Sequence, residues 1–258
     1  MRVTDKTYLP KYQEAIGTDL QALFGSIDFS DVSVDLDYRI KASAVFSSNI
    51  EGNTVDLNSF MNSITAARPF KPGKEIREIQ DLVKAYEFAK ANDLNEKNLL
   101  KAHKILGDTI LIKDKRGKYR TDKMGVFDST GLVYLAVEPQ FVPEKMAGLM
   151  ADIRELLRKD LSMAELFYHA SLIHLVFVHI HPFWDGNGRT ARLLEKWFLS
   201  TKLNSRAWKI QSEKYYKEHL SAYYEAINLG FNYYDLDYAK CIPFLQMLAG
   251  ALKAENER

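Results

Sequence analysis

In KEIREIQDLVKAYEFAKAND, residues 74–93, the apolar side chains Ile76, Ile79, Leu82, Val83, Tyr86 and Ala89 recur every three or four positions, with charged residues between them. That period predicts a helix with one face on a core. The same spacing recurs at about 11–24, 36–51, 55–66, 95–112, 143–157, 163–180, 188–202 and 212–228, with polar residues, glycine or proline between the runs. One segment keeps a different period. KMGVFDSTGLVYLAVEP, residues 123–139, carries β-branched and aromatic residues on both sides of DSTG, which predicts a hairpin at about 124–137. A lone hairpin is marginal in water, so it must rest on the helices or wait for a partner strand. The expected fold class is mainly α, a helical bundle with a small β-hairpin flap. We read one domain, with residues 1–90 as an N-terminal helical layer on residues 91–258.

Composition narrows the function classes. The 258 residues are 47% hydrophobic and 27% charged, which is ordinary for a folded protein and argues against extended disorder. Thirty-five Lys and Arg against 34 Asp and Glu leave a net charge of +1, so no basic field draws the chain to nucleic acid or an anionic membrane. Any anion must be held locally. The single cysteine, Cys241, has no internal disulfide partner and reads as an apolar filler. MRVTDKTYLP lacks the apolar stretch of a signal peptide, and the most apolar run, LFYHASLIHLVFVHI, is broken by three histidines and a serine. A cytoplasmic, soluble protein is expected.

Chemistry concentrates in HPFWDGNGRTARLLEKWFLS, residues 181–200. Pro182 stops the preceding helix, placing His181 at a helix-to-loop junction with its ring outward. Gly186 and Gly188 permit a tight turn whose amides converge, and a helix starting near Arg189 aims its N-terminal dipole at the same spot. Arg189 and Arg192 share a helix face and offer two guanidinium forks for phosphate oxygens. Asp185 is a hard oxygen ligand for Mg²⁺ bridging to substrate phosphates. With an ordinary pKa near 6.5, His181 is suited to accept a proton. Each feature alone is common; their compression into twelve residues points to catalysis on a nucleotide polyphosphate. A zinc site built from His174, His179, His181 and Asp185 has no HExxH or Cys/His framework behind it. His103, His169 and His219 fall in no pattern.

HPFWDGNGRTAR resembles the Fic motif, His-x-Phe-x-Asp/Glu-Gly-Asn-Gly-Arg-x-x-Arg, at every defined position. The likeness extends to GKYR at 117–120, the flap, His174 and YYEAI at 223–227, covering most of residues 36–230. It implies the Fic fold and transfer of AMP from Mg-ATP to a Ser, Thr or Tyr hydroxyl of a protein, with release of pyrophosphate. Carried over, His181 is the base, Asp185 the Mg²⁺ ligand, and Asn187 with the Gly186 and Gly188 amides the phosphate cradle. Arg189 and Arg192 hold the outer phosphates, Phe183 anchors the nucleotide-binding loop in the core, and Tyr223 and Tyr224 line the adenine site. Doc-type relatives, which phosphorylate their targets, have lysine where this chain has Gly188; glycine favours nucleotidyl transfer. The flap is expected to pair with an extended segment of the protein substrate through Val126, Phe127, Leu132, Val133, Tyr134 and Leu135. The segment NLGFNYYDLDYAKCIPF is longer and more aromatic than the family usually carries. Self-modification and a homodimer are further expectations.

SSNIEGNT, residues 47–54, puts a carboxylate at a helix end. Gly52 reads as the terminating glycine, so Glu51 falls in the last turn, where it costs roughly 0.3 to 1 kcal/mol unless a cation answers it. Ser47, Glu51 and Gly52 match the Ser-x-x-x-Glu-Gly inhibitory-helix motif of one Fic class, which places that helix at about 36–51. The resemblance names Arg192 as the cation: paired with Glu51, it is withheld from the γ-phosphate. Ser47 is expected to bond the nucleotide or Glu51. Two alternatives share the residues: a phosphodiesterase that removes AMP, with Glu51 orienting water, and a non-catalytic nucleotide sensor.

Overall fold

The computed structural model describes residues 1–27, 34–65, 72–129 and 131–256. Among the described residues the order is α1 (Leu9–Ile16), α2 (Leu20–Ser26), α3 (Val34–Ile50), α4 (Leu57–Thr65), α5 (Lys74–Lys90), α6 (Glu96–Leu106), β1 (Gly125–Asp128), β2 (Gly131–Leu135), α7 (Val142–Arg158), α8 (Met163–Ile180), α9 (Asn187–Leu203), α10 (Ser212–Glu218), α11 (Leu220–Ile227) and α12 (Ile242–Asn256). The fold is mainly helical with one antiparallel hairpin, as the hydrophobic period predicts.

Several expected boundaries move for local reasons. The run at 11–24 is two helices, because Gly17 turns left-handed at φ 53° and Asp19 opens the next helix by accepting from the Gln21 and Ala22 amides. The run at 95–112 stops at Leu106, and the run at 212–228 breaks at His219, whose φ of −115° and ψ of 41° are not helical. Helix α12 is absent from the sequence expectation altogether. Its apolar residues are too dense for one stripe, since Ile242, Phe244, Leu245, Met247, Leu248, Ala249, Ala251 and Leu252 are all buried. Residues 28–33 and 66–71 of the expected N-terminal layer, and Thr130 in the hairpin turn, lie outside the described residues.

Helix α8 is the axis of the core. Among the described residues it is the one helix long and apolar enough to cross a membrane, and 89% of it is buried within the fold. It begins with a capping box between Ser162 and Glu165 and packs against α9, α12 and α7. Helix α3 lies against α5, α9 and α10. The α3 contact is polar: Lys196 on α9, 2% exposed, donates to Ser43 Oγ on α3 at 2.6 Å and to Glu213 Oε2 on α10 at 2.6 Å. Tyr86 OH on α5 donates to the other Glu213 oxygen at 2.6 Å. Burial alone would push the Glu213 carboxyl up; the Lys196 charge and the two hydrogen bonds hold it below its ordinary value. Four helices thus meet on one buried ion pair.

Removing one partner of such a pair leaves the other charge stranded. Glu213→Ala is expected to lower the unfolding free energy by roughly 3 to 5 kcal/mol, read as a lower urea midpoint; an unchanged midpoint would mean that Lys196 finds another acceptor.

Candidate active site

The left-handed turn at His181 fixes the site. Helix α8 ends there with φ 51° and ψ 59°, a conformation that a residue bearing Cβ adopts at a cost on the order of 1 to 3 kcal/mol. Pro182 cannot continue the helix, so the chain turns and α9 begins five residues later. Gly186, at φ 78°, supplies the second left-handed turn, and α9 starts at Asn187 rather than near Arg189. No side chain caps this start. The first α9 bond runs from the Thr190 amide to the Gly186 carbonyl, which leaves the amides of residues 187–189 facing the turn without a helical partner.

Each expected residue has a definite place. His181 lines a cavity of about 750 Å³, together with Ile50, Glu51, Gly188, Arg192 and the flap. Its Nδ1 faces the Val178 carbonyl at 3.2 Å, so the geometry assigns the proton to Nδ1 and the free lone pair to Nε2. Burial, with the Arg120 charge adding to it, lowers the His181 pKa to about 4. The ring is therefore a neutral acceptor at physiological pH.

Asp185 is half exposed; its Oδ1 accepts from the Gly186 amide at 2.6 Å and from Arg189 at 3.2 Å. Its other oxygen has no partner among the described residues, which suits a hard cation such as Mg²⁺. Arg189 is 7% exposed and its Nε has no hydrogen-bond partner. An orphaned guanidinium donor beside three open amides fits a phosphate group.

Arg192 is wholly buried and already engaged. Its Nε donates to Ser47 Oγ at 2.9 Å, while its terminal nitrogens donate to the Ser47 carbonyl at 3.0 Å, Glu51 Oε1 at 2.6 Å and Tyr223 OH at 3.1 Å. Burial opposes the charge, but the Tyr223 oxygen and the Glu51 carboxylate more than restore it, and the Arg192 pKa is raised. Burial would likewise raise Glu51; the Arg192 and Arg189 charges outweigh it and hold the carboxyl below its ordinary value. The carboxylate rests against Gly188, where an added Cβ would overlap Glu51 Oε1. Gly52, at φ 92°, turns the chain away just after α3.

Three expectations need correction. Ser47 bonds Arg192 rather than Glu51. Asn187 does not point into the cradle: its amide closes on the Phe183 N–H and carbonyl, both at 2.9 Å, and so holds the loop's shape. Phe183 lies in the core as expected, stacking on His103 with ring centres 3.5 Å apart. Tyr134, expected on the docking face, is turned inward and donates to the His179 carbonyl at 2.6 Å. Tyr223 and Tyr224 do line the cavity, but the Tyr223 hydroxyl also meets His174 Nε2 at 3.0 Å and Tyr224 donates to the Ile50 carbonyl at 2.9 Å. Val126, Phe127, Leu132, Val133 and Leu135 stay open to differing degrees, Phe127 most at 71% exposure.

Sequence reasoning missed three supports. His103 takes the Gly117 amide on Nδ1 at 2.9 Å, so its Nε2 carries the proton to the Asp185 carbonyl at 3.0 Å. Arg120, last of GKYR, is buried against the carbonyl of His181. Residues 231–233 pair with Leu135 on the outer edge of β2. Among the described residues no cluster of His, Cys, Asp and Glu has metal-binding geometry, and both nitrogens of His174 and of His179 are hydrogen bonded.

His181, Gly188 at the uncapped start of α9, Arg192 and Glu51 line one cavity under the hairpin, and Asp185 with Arg189 stand on the adjoining turn, an arrangement that can hold phosphates beside a proton acceptor. Residues 93–199 match the Fic/DOC family. It is 33% identical over 150 residues to protein adenylyltransferase fic-1 of Caenorhabditis briggsae, covering 56% of this chain and 29% of that one. It is 34% identical over 162 residues to protein adenylyltransferase Fic of Nematostella vectensis, covering 58% and 35%. The chain thus spans about a third of the length of these curated relatives. A Fic family protein from Desulfovibrio desulfuricans shares the fold at TM-score 0.74 and 24% identity, covering 97% of this chain and 73% of that one. A Fic domain containing signaling protein from Bacteroides thetaiotaomicron does so at 0.70 and 20%, covering 95% and 94%.

Burial lowers the pKa of His103 and His179 to about 4 each, from an ordinary 6.5. The unfolded chain therefore takes up protons first as pH falls. Their contribution is complete above pH 6.5 and is lost as pH drops from there towards 4. Urea unfolding at pH 5 should show a loss on the order of 2 to 4 kcal/mol relative to pH 7, and equal midpoints would show that these rings stay accessible to protons in the fold.

Proposed function

We propose that this protein is an adenylyltransferase that transfers AMP from Mg-ATP to a protein hydroxyl and is held inactive by Glu51. The observation that carries the reading is the cavity lined by the neutral His181, by Gly188 at the uncapped start of α9 and by Arg192, with the Glu51 carboxylate seated among them; the orphaned Arg189 donor follows Gly188 on the same helix. Relatives named protein adenylyltransferase support the reaction class.

The open amides of residues 187–189 and the Arg189 fork receive phosphate oxygens. His181 Nε2 accepts the proton of the attacking hydroxyl as its oxygen bonds to the α-phosphorus. The bond from that phosphorus to the bridging oxygen breaks, and the electron pair leaves on pyrophosphate. The free Asp185 oxygen would hold a divalent cation, which would neutralise charge on that leaving group. Arg192 is the natural partner of the outermost phosphate, and Glu51 competes for it with both charge and space. While the carboxylate lies on Gly188 and Arg192, a triphosphate is denied the position that aligns the α-phosphorus with the hydroxyl. The docking surface for the substrate is the open face of the flap, with Tyr134 anchoring it from beneath.

Intact-mass measurement after incubation with Mg²⁺ and ATP tests the reading. Glu51→Gly is expected to gain AMP units at least about tenfold faster than the unaltered chain, a change of roughly 1.4 kcal/mol in barrier, and adding His181→Ala should abolish the gain. Equal rates with and without Glu51 would remove the inhibitory role. AMP loss from a pre-modified protein that requires Glu51 would instead identify a hydrolase.

A further inference from the structure

We propose that Arg120 is a positioning residue that locks the flap to the end of α8, so that a segment docked on the flap and the His181 ring are held in one register. The inference rests on the transferase reading. Arg120 is 1% exposed, and every hydrogen bond it makes goes to a main-chain carbonyl. Nε donates to the His181 carbonyl at 2.7 Å, and one terminal nitrogen donates to Asp122 at 2.8 Å. The other terminal nitrogen reaches the Val137 carbonyl, just past β2, and the Ile180 carbonyl at 3.4 Å. Its own amide donates to the Pro182 carbonyl at 2.9 Å. Three successive carbonyls, 180–182, are thus answered by one residue. Helix α8 ends there, where unpaired carbonyls and the negative end of the dipole favour a cation.

Charge alone does not explain the arrangement. The carbonyls at 122, 137, 180 and 181 lie around a single plane of donors, which suits a rigid guanidinium fork and not an ammonium point charge. The flap adds a second tie one residue earlier, where Tyr134 OH on β2 donates to the His179 carbonyl at 2.6 Å. The hairpin closes below both through the Ala136 amide on the Met124 carbonyl at 3.0 Å. Carbonyls 179–182 are therefore all held by residues 120–134, on either side of β1. The left-handed conformation that aims the His181 ring cannot relax without moving β2, and β2 cannot shift without moving His181. Asn187 and His103 fix the far side of the same loop, so Arg120 and Tyr134 set the near side.

The test compares Glu51→Gly alone with Glu51→Gly combined with Arg120→Lys, which keeps the charge and loses the fork, or with Tyr134→Phe, which loses one tie without stranding a buried charge. Nucleotide affinity by calorimetry should stay within about threefold in both combined variants, while self-modification at saturating Mg-ATP falls roughly a hundredfold for Arg120→Lys and tenfold for Tyr134→Phe. Hydrogen exchange reads the lock without catalysis: amides of residues 132–136 and 181–183 should lose protection together in both combined variants. Saturated rates equal to those of Glu51→Gly alone, a rate loss matched by an equal loss of nucleotide affinity, or exchange that rises on one side only would each overturn the proposal. If Glu51→Gly itself transfers no AMP, the transferase reading fails and the exchange result still decides the lock. Should Arg120→Lys not fold, Tyr134→Phe carries every arm.

Discussion

Arg192 places a permanent positive charge where its side chain is 1% exposed, and much of the structure exists to answer it. An uncompensated guanidinium at such depth would cost several kcal/mol. The answer comes from helices far apart in sequence: Ser47 and Glu51 from the end of α3, and Tyr223 from α11. Tyr223 passes the network to His174, which meets Glu195, which in turn accepts from Tyr216. One turn along α9, Lys196 repeats the device with Ser43 and Glu213. The buried face of α9 is thus a row of cations whose partners are supplied by the layers packed over it, and α3 is bound at two points on that row.

This arrangement explains which part of α3 is free to act. Ser43 and Ser47 are fully buried and tied to α9, and Gln211 reaches the Arg39 carbonyl at 3.3 Å. Glu51, by contrast, stands past the last helical residue with 29% of its side chain exposed, on a turn completed by a left-handed Gly52. On the transferase reading, releasing Arg192 needs only the Glu51 side chain and its turn to move, because the serines keep the helix and the guanidinium in place. A phosphate arriving at the same forks finds Arg192 already oriented by Ser47.

The loop from His181 to Arg192 was legible in the sequence because its residues are consecutive. His181, Asp185, Gly186, Arg189 and Arg192 lie within one turn and the start of one helix, so local rules place them. The period-3.6 runs gave most helices for the same reason. What stayed hidden depends on chain segments brought together only by packing. His103 lies 82 positions from the Asp185 carbonyl it holds, and no local pattern in α6 marks it. Helix α12 is apolar on too many sides to show a stripe. The inward turn of Tyr134 follows from strand alternation, but choosing which face lies down requires knowing where α8 ends.

Arg120 shows how a short motif can be visible and still not interpretable. GKYR is recognisable as a string, yet its arginine acts through carbonyls of residues 137 and 180–182, whose positions depend on the flap and on the proline that ends α8. A buried cation whose hydrogen bonds go to main-chain oxygens responds to where the chain runs and not to what the side chains are. Sequence records Arg192 and Glu51 as opposite charges that can be paired on paper. It holds no comparable mark for a residue whose partners are all backbone, and on the transferase reading such a residue sets the distance between His181 and a segment docked on the flap.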